Sequence, residues 1–169
     1  MPFIEAIAHL KFPVADIQRS TQFYEDVFAA KRIAEHDHRT RTGDLFAVIL
    51  DVPGAGTQLQ LRIDPDAARA QRGWNPVAFS TKSVADLERL IAHLDEHHVS
   101  HSAVLTGIIS WLVVFEDPDG RLLRVYTTQQ HGPEVAISRD EHWLGNIDPA
   151  PILPGGHSNI QRSAERVHQ

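Results

Sequence analysis

The sequence contains no cysteine among its 169 residues. Disulfide bonds, thiolate nucleophiles and thiolate metal ligands are therefore excluded. No apolar stretch approaches the roughly 20 residues that cross a membrane, and the N-terminus lacks the basic segment of a secretory signal. The net charge of −6 is spread along the chain and gives no reason to expect nucleic acid or an anionic membrane as a partner. We therefore expect a soluble cytoplasmic protein.

The rest of the composition is that of an ordinary globular protein, with 42% hydrophobic and 22% charged residues. A chain of this length is sufficient for one domain with a sizeable core. The pattern of apolar residues then indicates which fold that domain adopts.

A turn sequence, Asp117-Pro118-Asp119-Gly120, lies between two apolar runs. Pro118 fixes one backbone angle, and Gly120 can adopt the left-handed conformation that the chain reversal needs. The pattern predicts a β-hairpin with strands near 111–116 and 121–127. In its second strand the side chains alternate, with Leu123 and Val125 on one face and Leu122, Arg124 and Tyr126 on the other.

The first half of the chain is predicted to form a strand, a helix and three further strands. Pro13 ends a strand over 4–12, and Asp16 caps a helix that runs to about residue 30. The three further strands are expected at 31–42, 45–52 and 57–63. The last of them alternates cleanly, with Leu59, Leu61 and Ile63 opposite Gln58, Gln60 and Arg62.

The same order of elements returns in the second half. A polar connector over 64–73 leads to a strand at 75–81 and to a helix over 83–98 that Ser83 caps. A strand near 102–105 and the hairpin follow. The sequence therefore contains one internal repeat of about sixty residues, present twice.

Each helix is expected to cover the apolar face of its own, mostly antiparallel sheet. Two sheets set side by side would then form a shared cup lined by their opposite, polar faces. Alternatively, those faces are simply solvated, and periodicity alone does not separate the two interpretations. The polar faces carry His9, Lys11, Gln58, Gln60, Arg62, Arg124 and Tyr126.

Three sequence motifs, together with the repeated order of elements, resemble the vicinal oxygen chelate superfamily of glyoxalases, extradiol dioxygenases, and bleomycin and fosfomycin resistance proteins. They are the opening H-L-K-F-P-V-A-D-I-Q-R-S-T-Q-F-Y-E-D-V-F, the second start N-P-V-A-F-S-T, and the hairpin F-E-D-P-D-G-R-L-L-R-V-Y. The resemblance implies an α+β fold of two βαβββ modules, near 5–64 and 74–128. They would form an open, cup-shaped, mixed or antiparallel β-barrel with the helices outside. A single domain over 1–128 would be followed by a C-terminal extension over 129–169.

Enzymes of this family hold a metal ion with four strand residues, typically His, Glu, His and Glu. Carried over position by position, these are His9, Gln60, Pro76 and Arg124. Proline has no ligating side chain, arginine is a permanent cation, and glutamine is a weak neutral donor. We therefore expect no metal and no other cofactor at this site.

Other candidate residues receive weaker interpretations. His93 and His97 have the i, i+4 spacing that can bind a transition metal, but a solvated helix end is the better explanation. His36 and His38, one strand step apart, are expected to share a face and to border the cup. Trp74 and Trp111 are candidates for the core, the pocket wall or an interface, and the core is the preferred position for both.

Two functions remain open. The first is metal-independent binding of a small anionic or carbonyl-rich molecule in the cup, as in drug-sequestering resistance proteins. Arg124 would be the principal anchor, supported by Arg62, Gln60, Gln58 and Tyr126. The alternative is a glyoxalase-like lyase or isomerase, in which Lys11 and Arg124 act as fixed cations and His9 is the base.

The C-terminal extension and the oligomeric state are expected to be connected. Prolines and glycines preclude a long regular element after Gln129, and the tail after about Ile152 is expected to be mobile. Trp143, Leu144, Ile147 and Ile152 nevertheless need burial. We therefore predict a homodimer.

Overall fold

The computed structural model describes residues 3–145. The first module consists of β1 (His9–Val14), α1 (Ile17–Phe28), β2 (Lys31–Arg32), β3 (His38–Arg39), β4 (Leu45–Asp51) and β5 (Gln58–Ile63). The second consists of β6 (Ala78–Thr81), α3 (Val84–Glu96), β7 (Leu105–Thr106), β8 (Ser110–Glu116) and β9 (Leu122–Gln130). The short helix α2 (Pro65–Ala70) connects them. No helix in this part of the chain is long and apolar enough to span a membrane.

Each module forms its own mixed sheet. The strand order is β1-β5-β4-β2 in the first, with β3 also on β4, and β6-β9-β8-β7 in the second. The pairs β1–β5 and β6–β9 are parallel, whereas the other pairs are antiparallel. The two sheets are not closed into a barrel, so the predicted α+β fold with an open arrangement of two modules is confirmed.

Both major helices begin where the sequence predicts. Asp16 accepts hydrogen bonds from the backbone N–H groups of Gln18 (2.9 Å) and Arg19 (3.0 Å). Ser83 and Asp86 form a reciprocal capping box at the start of α3. These side chains satisfy amide groups that the first turn of a helix otherwise leaves unpaired.

Four local features differ from the sequence predictions. Strand β1 begins at His9 and continues through Pro13, because β5 is its only neighbour and an edge strand tolerates a missing N–H. The segment 31–42 contains two short strands separated by a 3₁₀ turn, Ala34–His36. The connector after β5 contains α2, whose cap Asp64 accepts from the N–H of Ala67 (3.0 Å). Strand β9 extends to Gln130, beyond the end expected for the hairpin.

One core joins the apolar faces of both sheets to the helices. The predicted core-facing residues Leu59, Leu61 and Leu123 are at most 4% exposed. Phe28, at the end of α1, contacts Phe79 of β6 and Phe115 of β8, with ring centroids 5.0 and 6.0 Å apart. The two modules are therefore parts of one packed unit.

A buried polar cluster also joins the modules, at the turn between β8 and β9. We call Tyr24, Asp117, Asp119 and Arg121 the seam cluster. The guanidinium of Arg121 is fully buried and pairs with the Asp117 carboxylate. It also donates to the carbonyl of Pro13 (2.6 Å) and to Gln71 Oε1 (3.1 Å), and it lies 4.7 Å from the centre of the Phe12 ring.

The carboxylates of the seam cluster are also well supplied with donors. Asp117 accepts from the N–H groups of Asp119 and Arg121, both at 2.9 Å, and from the Tyr24 hydroxyl at 3.1 Å. Asp119 accepts from Ala15 N–H (3.3 Å) and from Arg19 (3.0 Å). Burial raises the pKa of Asp117, and the adjacent Arg121 guanidinium partly offsets this effect. Burial and the neighbouring Asp117 carboxylate raise the pKa of Tyr24 well above its usual value.

The compact unit that contains both modules ends at Ser138, and a second unit begins at Arg139. Within the second unit, Asp140 caps the single-turn helix α4 (Glu141–Leu144) by accepting from the N–H of Trp143. Ile147, Ile152 and the rest of the predicted mobile tail lie outside the described residues.

Candidate functional site

Five of the seven predicted cup residues share one face of the first sheet, opposite the core. We call His9, Lys11, Gln58, Gln60 and Arg62 the first polar face. The register pairs His9 with Gln58 and Lys11 with Gln60, and it brings Arg62 beside Pro13. Lys11 and Arg62 are exposed, His9 and Gln58 are half-buried, and Gln60 is only 2% exposed. The sequence therefore predicted the face correctly but not the burial of Gln60.

His38 completes this face, although the sequence placed it only at a rim. Its Nδ1 atom lies 3.3 Å from Nε2 of Gln60, and its ring contacts that of Phe46 at 5.7 Å. The guanidinium of Arg62 lies 5.3 Å from the centre of the same Phe46 ring, a cation–π contact. His38 reaches this position because β3 pairs with β4, where His38 lies opposite Ala47. The irregular segment before β4 carries no periodicity from which that pairing could be predicted.

The other two predicted residues, Arg124 and Tyr126, lie on the second sheet. We call them, with the neighbouring Ala78 and Ser80 of β6, the second polar face. The register pairs Ala78 with Arg124 and Ser80 with Tyr126. Arg124 and Tyr126 are half-buried, whereas Leu123 and Val125 between them are buried in the core. The alternation predicted for this strand is therefore confirmed.

A cavity of about 450 Å³ is lined by none of the seven predicted residues, although it borders the second polar face at Ala78 and Ser80. It is lined by apolar side chains of both modules, among them Leu10, Phe28, Phe79 and Leu90. Its polar lining consists of Thr57, Ser80, Thr81 and Asp86. Asp86 already bonds Ser83 and Arg89, and the Ser83 hydroxyl lowers the pKa of its carboxyl. The cavity thus contributes apolar surface but no free polar group at Asp86.

The residues at the metal-binding positions of the resembled family do not suit a metal ion. His9 and Gln60 are on the first polar face, Arg124 is on the second, and Pro76 precedes β6. These positions offer one imidazole, one amide, one cation and one side chain without a donor atom. Within residues 3–145, no three His, Asp or Glu side chains come together to form another candidate metal site.

The remaining candidates have structural explanations. His93 Nε2 lies 2.9 Å from the Asp26 carbonyl, and the His93 and His97 rings are 4.6 Å apart. His101 bonds Asp95 and the Ser102 carbonyl; burial lowers its pKa, but these two acceptors outweigh burial and raise it. Trp111 packs against the core as expected, but Trp74 is 64% exposed, so its predicted core position is wrong.

Solved structures with the same fold include an antibiotic-binding protein and a fosfomycin resistance protein. TnmS3, an antibiotic-binding protein from Streptomyces sp. CB03234, is 18% identical with a TM-score of 0.61, covering 76% of this chain and all of that one. The fosfomycin resistance protein FosX from Listeria monocytogenes is 16% identical with a TM-score of 0.61, covering 75% and 96%. An integron cassette protein from the mobile metagenome of V. cholerae is 25% identical with a TM-score of 0.53, covering 76% and 99%.

The family model of the Glyoxalase/Bleomycin resistance protein/Dioxygenase superfamily matches residues 6–125, which is most of the chain and both modules. The match includes β1, β5, β6, the seam cluster and the start of β9, and it contains every predicted site residue except Tyr126. The chain therefore belongs to the Glyoxalase/Bleomycin resistance protein/Dioxygenase superfamily.

Proposed function

We propose that this protein binds a small anionic or carbonyl-rich molecule on its polar faces, without a metal ion, as a sequestering protein does. The observation that carries the proposal is Arg124, which occupies a position where metal-binding members of the family have a glutamate. Its planar guanidinium presents paired N–H donors that match a carboxylate, a phosphonate or a polarised carbonyl. A permanent cation in that position recruits an anion directly.

The charge distribution of the first polar face supports the same conclusion. Within the described residues, neither Lys11 nor Arg62 forms an ion pair with an acidic side chain. Asp37, an acidic residue next to β3, is paired with Arg32 and Arg39. The cations of this face therefore favour an anionic ligand.

Two of the similar structures suggest where to look for the ligand. One is described as an antibiotic-binding protein, and FosX is described in complex with manganese and 1S,2S-dihydroxypropylphosphonic acid. A phosphonate has the charge and geometry that a guanidinium binds well. This diol phosphonate and propylphosphonic acid, which lacks its hydroxyl groups, are therefore suitable first probes.

The test is isothermal calorimetry of both phosphonates with the wild type and with Arg124→Ala. Loss of the guanidinium should weaken binding by about 2–4 kcal/mol, and Arg124→Lys should restore little because an ammonium has no paired donors. Arg41→Ala, at an exposed arginine on the same protein, is the matched control. Unchanged affinity in Arg124→Ala would contradict the proposal, and recovery of a chemically altered ligand would favour the lyase or isomerase alternative with His9 as base.

We also propose that the binding domain spans residues 1–128, that 129–169 form a C-terminal extension, and that two chains associate. Several large apolar side chains of the described unit are exposed and would be covered in a dimer: Phe3, Ile4, Ile7, Ile108 and Ile109. Sedimentation at tens of micromolar should show a species of twice 18.9 kDa. A monomer alone at that concentration would contradict this proposal.

A further inference from the structure

Gln60 is a buried polar residue whose hydrogen bonding is incomplete. The residue is 2% exposed, and its Oε1 atom is buried without a hydrogen-bond donor among the described residues. Its Nε2 atom has one neighbour, His38 Nδ1, at 3.3 Å. A buried amide oxygen without a donor is unfavourable by about 1–3 kcal/mol. Such a group is completed by an ordered water or ion, by another state of the molecule, or by a ligand.

Turning the amide over exchanges the two ends of the side chain. Oε1 then lies near His38 Nδ1, which donates only in the Nδ1–H tautomer, and the NH₂ group takes the buried position. On the neighbouring strands, Gln60 lies opposite Lys11 and Ile49, and neither side chain donates a hydrogen bond to Gln60 Oε1. The protein around Gln60 therefore does not satisfy it by itself.

Gln60 lies just beneath exposed cations of the first polar face. Lys11 and Arg62 are exposed on that face, and the exposed side chain of His38 lies beside them. They would draw an anion towards the face, while Gln60 lies at its centre between β1 and β4. The cations supply attraction, and the neutral amide supplies a directional contact.

We propose that Gln60 recognises a hydroxyl group of the ligand, so that the molecule bound here is a hydroxylated small anion. A hydroxyl can donate to the amide oxygen or accept from the amide NH₂, and it therefore completes Gln60 in both orientations. This inference rests on the proposed function, which supplies the anionic part of the ligand, and adds the group by which related anions are distinguished. A site with such a polar group rejects an analogue that lacks the matching hydroxyl.

The first experiment measures the thermal stability of the free protein, because removal of the unpaired amide should raise it, whereas most substitutions of buried residues lower it. Gln60→Met keeps the length of the side chain and removes the unpaired amide. We expect the midpoint of thermal unfolding to rise by about 2–6 °C without ligand. Gln130→Met, at an exposed glutamine in β9, is the control and should change the midpoint little. A lower midpoint in Gln60→Met would show that the amide stabilises the fold, and would overturn the proposal.

The second experiment measures selectivity with the two phosphonates. The wild type should bind the diol phosphonate about fivefold or more tightly than propylphosphonic acid, because one additional hydrogen bond forms. In Gln60→Met that ratio should fall to about one, while propylphosphonic acid binds as before. A ratio that is unchanged in Gln60→Met, or a wild type that does not bind the diol, overturns the proposal.

The two proposals fail in different ways. Binding of propylphosphonic acid depends on Arg124 and not on the hydroxyl-recognising amide, so it tests the anion site alone. If Arg124→Ala does not weaken binding but the preference for the diol remains, Arg124 is not the anion anchor, and the role of Gln60 in recognising the hydroxyl is supported. The reverse pattern, binding that depends on Arg124 with no diol preference, would refute the inference about Gln60.

Discussion

The seam cluster and the first polar face both bury polar side chains, but only one of them satisfies those side chains. Arg121 is fully buried and contacts a carboxylate, a backbone carbonyl and an amide oxygen. Gln60 is almost equally buried and has a single contact, to His38. Arg121 has its hydrogen bonds completed by the fold, whereas Gln60 keeps hydrogen-bonding capacity that the fold does not use.

Physical chemistry explains why this difference is informative. A buried ion pair whose hydrogen bonds are all formed is tolerated in the folded protein. Removing one partner is strongly destabilising, because the other charge is then left buried and uncompensated. A half-satisfied amide instead lowers the stability of the free protein. Substitutions in the two regions should therefore change stability in opposite directions.

The largest effect is expected for Arg121→Met. The apolar chain still fills part of the space beside Phe12, but the Asp117 carboxylate is left buried without its counter-ion. We expect a loss of about 3–5 kcal/mol in the free energy of unfolding, measured by urea denaturation at neutral pH. Arg41→Met, at an exposed site, is the control. A loss below about 1 kcal/mol would contradict the assigned role of the seam cluster, because it is within the range of an exposed ion pair.

The pH dependence of Arg121→Met follows from the pKa of Asp117. Burial already raises this pKa, and loss of the guanidinium removes an influence that lowers it. A carboxyl group with a raised pKa in the folded state stabilises the fold below its unfolded pKa and loses that contribution as pH rises through the folded value. The deficit of Arg121→Met relative to wild type should therefore be smaller in acid than at neutral pH. A deficit that grows towards acid would contradict this assignment.

A smaller loss in the free energy of unfolding is expected for Asp119→Asn. The asparagine still accepts from Ala15 N–H at the start of α1, but its charge no longer pairs with Arg19, whose side chain is about half exposed. We expect a loss of about 1 kcal/mol, again by urea denaturation, because exposure weakens the ion pair. A loss as large as that of Arg121→Met would mean that the charge of Asp119, and not the buried guanidinium, holds the modules together.

The smallest effect is expected at His101, outside both regions. Asp95 and the Ser102 carbonyl raise its pKa although burial opposes them, so its protonated form is favoured in the folded state. This contribution to stability is complete below the unfolded pKa and is lost as pH rises through the folded value. Replacing His101 with Gln should therefore reduce the difference in melting temperature between pH 5.5 and pH 8. An unchanged difference would show that His101 does not contribute to it.

The sequence was sufficient to predict the repeat, both helix caps and the alternation in β9, because these follow from local chemistry. In β5 the alternation holds for Leu59 and Leu61 but not for Ile63, which is exposed. Asp16 and Ser83 precede apolar helical patterns, and the Asp117–Gly120 turn can form only a few structures. The contacts of His38 and Arg121 were not predicted. Each depends on partners distant in sequence: Gln60 and Phe46 for His38, and Pro13 and Gln71 for Arg121.

If Arg124 takes the place of a metal ion as the anchor for an anion, binding must not depend on a divalent cation. The diol phosphonate is added to the wild-type protein in EDTA and, separately, in excess manganese, with heat release as the measurement. Binding should occur in EDTA, with a Kd that manganese changes by less than about twofold. Binding that occurs only with manganese, or that manganese strengthens about tenfold or more, would contradict this role of Arg124.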